Sequence, residues 1–163
     1  MSRREREFTA YAEERLPWLR RLAYLLCGDW HRADDLAQTT LMQLFVKWRQ
    51  ARGADSVDAY VRTMLVRVYL GERRGGWASR VWVGGRTPEE AGREVDVASA
   101  MDVRDALALV PPRQRAALVL RFYCDLTHEQ AAEVLGCSVG TVKSQTARGL
   151  DALRRVMSAV EGA

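Results

Sequence analysis

The chain has 163 residues, with 25 Lys and Arg against 21 Asp and Glu. Its formal charge of +4 and sequence pI of about 9.2 suit a polyanionic partner without requiring one. Hydrophobic residues make up 48%, the share of a folded globular protein, and the length allows one ordinary domain or two small ones. No apolar run is long enough to span a bilayer and MSRREREF lacks the apolar core of a signal peptide, which excludes membrane insertion and makes a cytoplasmic protein the expectation.

Residues 7–27 have helical spacing, with Phe8, Tyr11, Leu19, Leu22, Ala23 and Leu26 on one apolar face. Pro17 removes a donor and crowds the preceding turn, so a kink or a restart is expected there. Gly28 and Asp29 close the segment, and Asp29 is placed to cap the next helix. That helix is predicted over residues 30–49, with Ala37, Leu41, Leu44, Phe45 and Trp48 turned inward. Asp35, Gln38, Thr39 and Met42 fall together on another face, either a solvated surface or a docking surface for a large partner. Residues 50–56 (QARGADS) read as a loop.

A third helix over residues 57–74 turns Val61, Met64, Leu65 and Val68 to the core. Tyr60, Thr63 and Arg67 then share a different face. Six arginines stand against Glu72 alone between Tyr60 and Arg86. An aromatic side chain followed by guanidinium groups holds single-stranded nucleic acid by stacking and phosphate neutralisation. A solvated, arginine-rich helix would carry the same residues.

Residues 75–97 change character: two glycine pairs, Pro88 and the acids Glu89, Glu90, Glu94 and Asp96 have no sustained helical period, which reads as an interdomain linker. Trp77, Val81 and Trp82 suggest that part of it docks. Helical pattern resumes near Ala98. Val103, Ala106, Leu107 and Val110 make a short helix stopped by Pro111. Pro112 starts the next at its first turn, with Ala116, Leu118, Val119 and Phe122 facing the core.

Two further helical patterns meet at a tight break between Leu126 and Val156. Thr127 and Gln130 form a capping box, Gly136 stops the first helix, and Ser138 caps the second. Val142, Thr146, Leu150 and Leu153 give the second an inward stripe, while Thr141, Lys143, Ser144, Gln145 and Arg148 face outward. No carboxylate occurs from Ser138 to Arg148. Solvated faces mix both signs whereas phosphate-facing ones avoid acids, so the pair reads as a helix-turn-helix whose second helix enters a major groove. The alternative is an ordinary helical hairpin.

Cys27, Cys124 and Cys137 fall at no metal-ligand spacing, and Cys124 with Cys137 reads as small buried residues or as a redox or metal pair. No phosphate loop, nucleophile elbow or ligand cluster appears, since GERRGG and VGGR lack a flanking strand. No catalytic residue, metal, other cofactor or small-molecule substrate is therefore expected. The fold expected is all-α, with two small helical domains, residues 1–74 and 98–163, joined by a flexible linker over residues 75–97.

The order of these parts resembles that of bacterial extracytoplasmic-function (ECF) RNA polymerase sigma factors, most of all the small actinobacterial kind. The resemblance rests on DDLAQTTLMQLF, the basic aromatic helix, and LVPPRQRAALVLRFYCDLTHEQAAEVLGCSVGTVKSQTARGLDALR. It implies that the N-terminal domain, region two, grips the clamp coiled coil of the largest subunit of core polymerase through Asp35, Leu36, Gln38, Thr39 and Met42. The same domain would capture an unpaired base of the −10 element near Tyr60, Thr63 and Arg67. Region four would read the −35 element as duplex through Thr141, Lys143, Ser144, Gln145 and Arg148. An anti-sigma factor is a further partner that the resemblance allows. Two departures stand out: Thr39 where many relatives carry an acid, and Arg67 where many carry an asparagine that helps handle the melted strand. A dimeric regulator with a similar helix-turn-helix would leave the D-L-x-Q helix without a role. A helical adaptor binding only protein would show no salt-dependent DNA affinity.

Overall fold

The computed structural model describes residues 1–74 and 102–162, and among them it has helices and turns but no strand. The chain divides into two compact units, Met1–Tyr69 and Leu70–Ala163, the division falling inside a helix. The expected linker over residues 75–97 lies outside the described residues.

In the first unit, α1 (Arg3–Cys27) begins earlier than its apolar period suggests. Ser2 and Glu5 form a capping box: Ser2 Oγ accepts from the Glu5 amide at 3.1 Å and the Glu5 carboxylate accepts from the Ser2 amide at 2.6 Å. Pro17 lies within this helix, which does not restart there. The carbonyl deprived of its donor belongs to Glu13, which like Pro17 is exposed, so water can satisfy it. Gly28, at φ 76, ends α1 in the left-handed conformation that glycine adopts without a Cβ penalty. Asp29 then caps α2 (Trp30–Val46) by accepting from the His31 amide at 2.8 Å.

The expected single helix over residues 30–49 is two helices. It stops at Val46, turns at Lys47, and resumes as α3 (Trp48–Arg52). The break frees carbonyls, and Arg4 of α1 donates to those of Phe45 and Val46 at 2.5 and 3.3 Å. It also lets Trp48 lie buried, edge-on to Phe8 with centroids 5.7 Å apart. Phe45 stays partly exposed instead of facing inward. Residues 50–52, expected in a loop, belong to α3.

Ser56 accepts from the Ala59 amide at 3.1 Å and so caps α4 (Val57–Arg74). Val61, Leu65, Val66 and Tyr69 are its buried residues in this unit, while Met64 and Val68 are only half-buried. A polar tie joins its first turn to α1: Asp58 accepts from the Tyr11 hydroxyl at 2.6 Å, from Arg15 Nε at 3.0 Å, and from Arg15 Nη2.

In the second unit, Asp102 caps α5 (Val103–Leu107) through the Arg104 amide at 2.9 Å. Val103, expected on the inward face, is exposed because it is the first residue of a five-residue helix whose buried position is Ala106. Pro111 ends this segment and Pro112 opens α6 (Pro112–Leu118). Arg115, 4% exposed, donates to the carbonyls of Ala108 and Val110, each at 2.8 Å from Nη2. Its planar fork thereby closes the bend between α5 and α6.

After Leu118 the helix widens into one π turn, Val119–Tyr123, in which the Cys124 amide bonds the Val119 carbonyl at 3.0 Å, five residues back. The wider turn changes the angular step per residue, so Phe122 is not in the core as expected but 59% exposed. Two helices follow, α7 (His128–Leu135) and α8 (Val139–Glu161).

Candidate functional site

Local signals in the chain set the geometry of the α7–α8 pair. Thr127 Oγ1 accepts from the Gln130 amide at 3.1 Å, and the Gln130 side chain accepts from the Thr127 amide at 2.9 Å. Gly136 at φ 67 reverses the chain, and the Gly136 and Cys137 amides both close on the Ala132 carbonyl. Ser138 caps α8 by accepting from the Thr141 amide at 3.1 Å, with the two hydroxyls 2.9 Å apart. The Thr141 hydroxyl is thus part of the cap, a role that its outward register does not announce.

On α8 the buried residues are Val142, Thr146 and Gly149. Leu150 and Leu153, expected inward, are half-buried. Gly149 takes the place of closest approach: a Cβ built there would stand 3.0 Å from the Leu118 side chain and 3.2 Å from the Gln114 carbonyl. Opposite lie Lys143, Ser144 and Arg148, all exposed, with Thr141 and Gln145 half-buried beside them. The first acid on α8, Asp151, lies 3.3 Å from Arg154.

Folding does bring one carboxylate near this face from another helix. Glu129, in the first turn of α7, is held below the usual carboxylate range mainly by hydrogen bonding to its own backbone amide. Thr127, His128 and Lys143 act in the same direction. Cys137, in the turn, has its thiol pushed up by burial, which disfavours the thiolate. All three cysteines are free thiols, and among the described residues no three His, Cys, Asp or Glu side chains gather as metal ligands.

Two surfaces matter in the first unit. On α4, Tyr60 and Thr63 are half-buried and Arg67 is exposed, spaced to share one helix face. On α2, Asp35 and Gln38 are exposed, Thr39 is half-buried, and Met42 is 72% exposed. Leu36 is 3% exposed and belongs to the core beneath this face. Val46, one turn beyond Met42 and 75% exposed, continues the same face. Sequence reasoning missed it because the apolar residue was assigned to no surface; its spacing of four from Met42 was the available signal. Among the described residues no helix is long and apolar enough to cross a membrane.

Comparison with known proteins matches these units separately. Residues 4–78 match the family described as Sigma-70 region 2, and residues 100–153 match Sigma-70, region 4. The RNA polymerase sigma-E factor of Streptomyces coelicolor is 32% identical over 158 residues, an alignment covering 94% of this chain and 87% of that one. The ECF RNA polymerase sigma factor EcfG of Rhodopseudomonas palustris is 29% identical, with 91% and 83% covered. Among solved structures, the sigma factor RpoE of Bartonella quintana, crystallised in complex with the anti-sigma factor NepR, superimposes with a TM-score of 0.67 at 26% identity. That superposition covers 93% of this chain and 97% of the other.

Proposed function

This chain belongs to the sigma-70 family of RNA polymerase sigma factors, in its ECF group, and on that premise we propose how its two units divide the work of promoter-specific initiation. The α7–α8 pair reads the −35 element as duplex, with Thr141, Lys143, Ser144, Gln145 and Arg148 at the DNA. The observation that carries this reading is the exposed face of α8, which offers Lys143, Ser144 and Arg148 with no acid of its own before Asp151. A major groove about 12 Å wide admits such a helix, and a bidentate bond to a base edge there contributes about 1–3 kcal/mol of discrimination.

The first unit handles the opened strand and the polymerase. Tyr60 offers a ring for stacking, worth about 1–3 kcal/mol per base, with Thr63 and Arg67 beside it for sugar and phosphate. Asp35, Gln38, Thr39 and Met42 form the face that meets the clamp coiled coil of the largest core subunit. The protein works in the cytoplasm, where polymerase and promoters are found. The Bartonella relative was crystallised with an anti-sigma factor, and this chain is a fitting target for a protein of that kind.

The test is a double variant, Lys143→Ala with Arg148→Ala. Binding of the holoenzyme to a −35 duplex should fall at least tenfold, and the slope of log affinity against log salt should flatten by about 1 for each phosphate no longer neutralised. Affinity for core polymerase should stay unchanged. A double variant that transcribes normally from its promoters would remove the duplex-reading role from α8.

A further inference from the structure

We propose that Asp58, gripped by Tyr11 and Arg15, is a positioning residue that fixes where α4 presents Tyr60, Thr63 and Arg67 to the opened DNA strand. The inference rests on the strand-capture reading of α4 and adds to it a control point shared between α1 and the first turn of α4.

Val61, Leu65, Val66 and Tyr69 are buried, and close packing of their side chains limits how far α4 can turn. Directional bonds narrow that range further, because they depend on angle where hydrophobic burial does not. Asp58 takes two guanidinium bonds from Arg15 and one hydroxyl bond from Tyr11, a bidentate fork that adds geometric specificity to the contact.

Both donors are themselves held. The Arg15 guanidinium lies over the Trp18 ring, 4.8 Å from its centroid. The Tyr11 ring packs on Trp48, with centroids 5.4 Å apart. Burial, reinforced by the bond to Asp58, pushes the Tyr11 phenol above its ordinary value, so it remains a donor at any working pH. The tie therefore runs from α3 and α1 into the first turn of α4, two residues ahead of Tyr60.

The lever is short. On a helix with side chains about 10–12 Å across, a rotation of about 20° moves a surface group by roughly 2 Å. That displacement is enough to unstack a base from the Tyr60 ring. Two further ion pairs in this unit, Arg20 with Asp34 and Arg52 with Glu7, join α1 to α2 and α3.

The experiment uses the full chain assembled with core polymerase, carrying Tyr11→Phe or Asp58→Asn. The probe is a fluorescent single-stranded oligonucleotide covering the −10 region of a promoter that the wild-type holoenzyme transcribes. Tyr11→Phe keeps the ring on Trp48 and removes one bond, so the unit stays folded by circular dichroism. Both variants should bind core polymerase within twofold of wild type, yet hold the strand about five- to tenfold more weakly. The two losses should be less than additive when combined, since both act on one tie. Strand affinity equal to wild type in both variants overturns the proposal. So does a loss of strand affinity matched by an equal loss of core affinity, which would make the tie ordinary support for the fold. A wild-type holoenzyme that does not retain the strand refutes the strand-capture reading itself, and the positioning role with it.

Discussion

Gly149 shows how a single missing side chain can set the spacing of two helices. A methyl group there would press on the Leu118 side chain at 3.0 Å and on the Gln114 carbonyl at 3.2 Å. Overpacking of this kind costs about 1–3 kcal/mol, while alanine gains roughly 1 kcal/mol over glycine from helix propensity. The overpacking term should win by about 1 kcal/mol, because the backbone carbonyl cannot move aside as a flexible side chain can. Gly149→Ala should therefore lower the thermal midpoint by roughly 4–8 °C for a unit of this size. A midpoint that rises would mean that Leu118 yields and propensity dominates. Arg115 is the opposite case, a buried charge whose hydrogen bonds to backbone carbonyls hold the α5–α6 bend in place.

At the level of elements, the exposed strip along α2 separates residues that touch a partner from those that hold the helix. Met42 and Val46 are among the most exposed apolar side chains of the first unit, one turn apart on the face proposed to dock on polymerase. The double variant Met42→Ser and Val46→Ser should weaken core binding by about tenfold, as truncation of a hot spot does, while the melting curve stays put. Leu36→Ala should do the reverse at first order: truncating a buried leucine costs about 2–5 kcal/mol of stability, and any weakening of binding should follow the unfolded fraction. Pull-down with core polymerase beside thermal melts distinguishes the two.

The helix ends around these faces were legible wherever the signal was local. Asp29, Gly28, Thr127 with Gln130, Gly136 and Ser138 each act on neighbours within a turn, so spacing alone revealed them. The break at Lys47 was not legible, since the Arg4 bonds that meet its freed carbonyls join residues 41 and 42 positions apart in sequence. The π turn at Val119–Tyr123 hid the exposure of Phe122 because one widened turn shifts a period that residue types do not record. The uninterrupted run of α1 through Pro17 depended on which side of the helix meets water. The Asp58 tie escaped because its three residues come from two helices and none is unusual alone.

For the whole molecule, the separate matches to region 2 and region 4 raise the question of why both sit on one chain. A covalent connection turns the second binding event into an intramolecular one, at an effective concentration set by the connecting chain. Residues 75–101 can reach at most about 95 Å at full extension, so the connection also limits where the second unit can search. A protease site inserted within residues 75–97 tests this without asking either half to fold alone, because the chain is cut only after it has folded. Transcription from a duplex promoter should drop by about 10²–10⁴-fold on cutting, while each half keeps its own circular dichroism signal and the N-terminal half keeps its affinity for core polymerase. Raising the concentration of the C-terminal half into the millimolar range should restore part of that activity, since mass action then supplies what the connection did. Activity unchanged by cutting, at protein concentrations far below millimolar, would show that the two units act on polymerase and promoter independently.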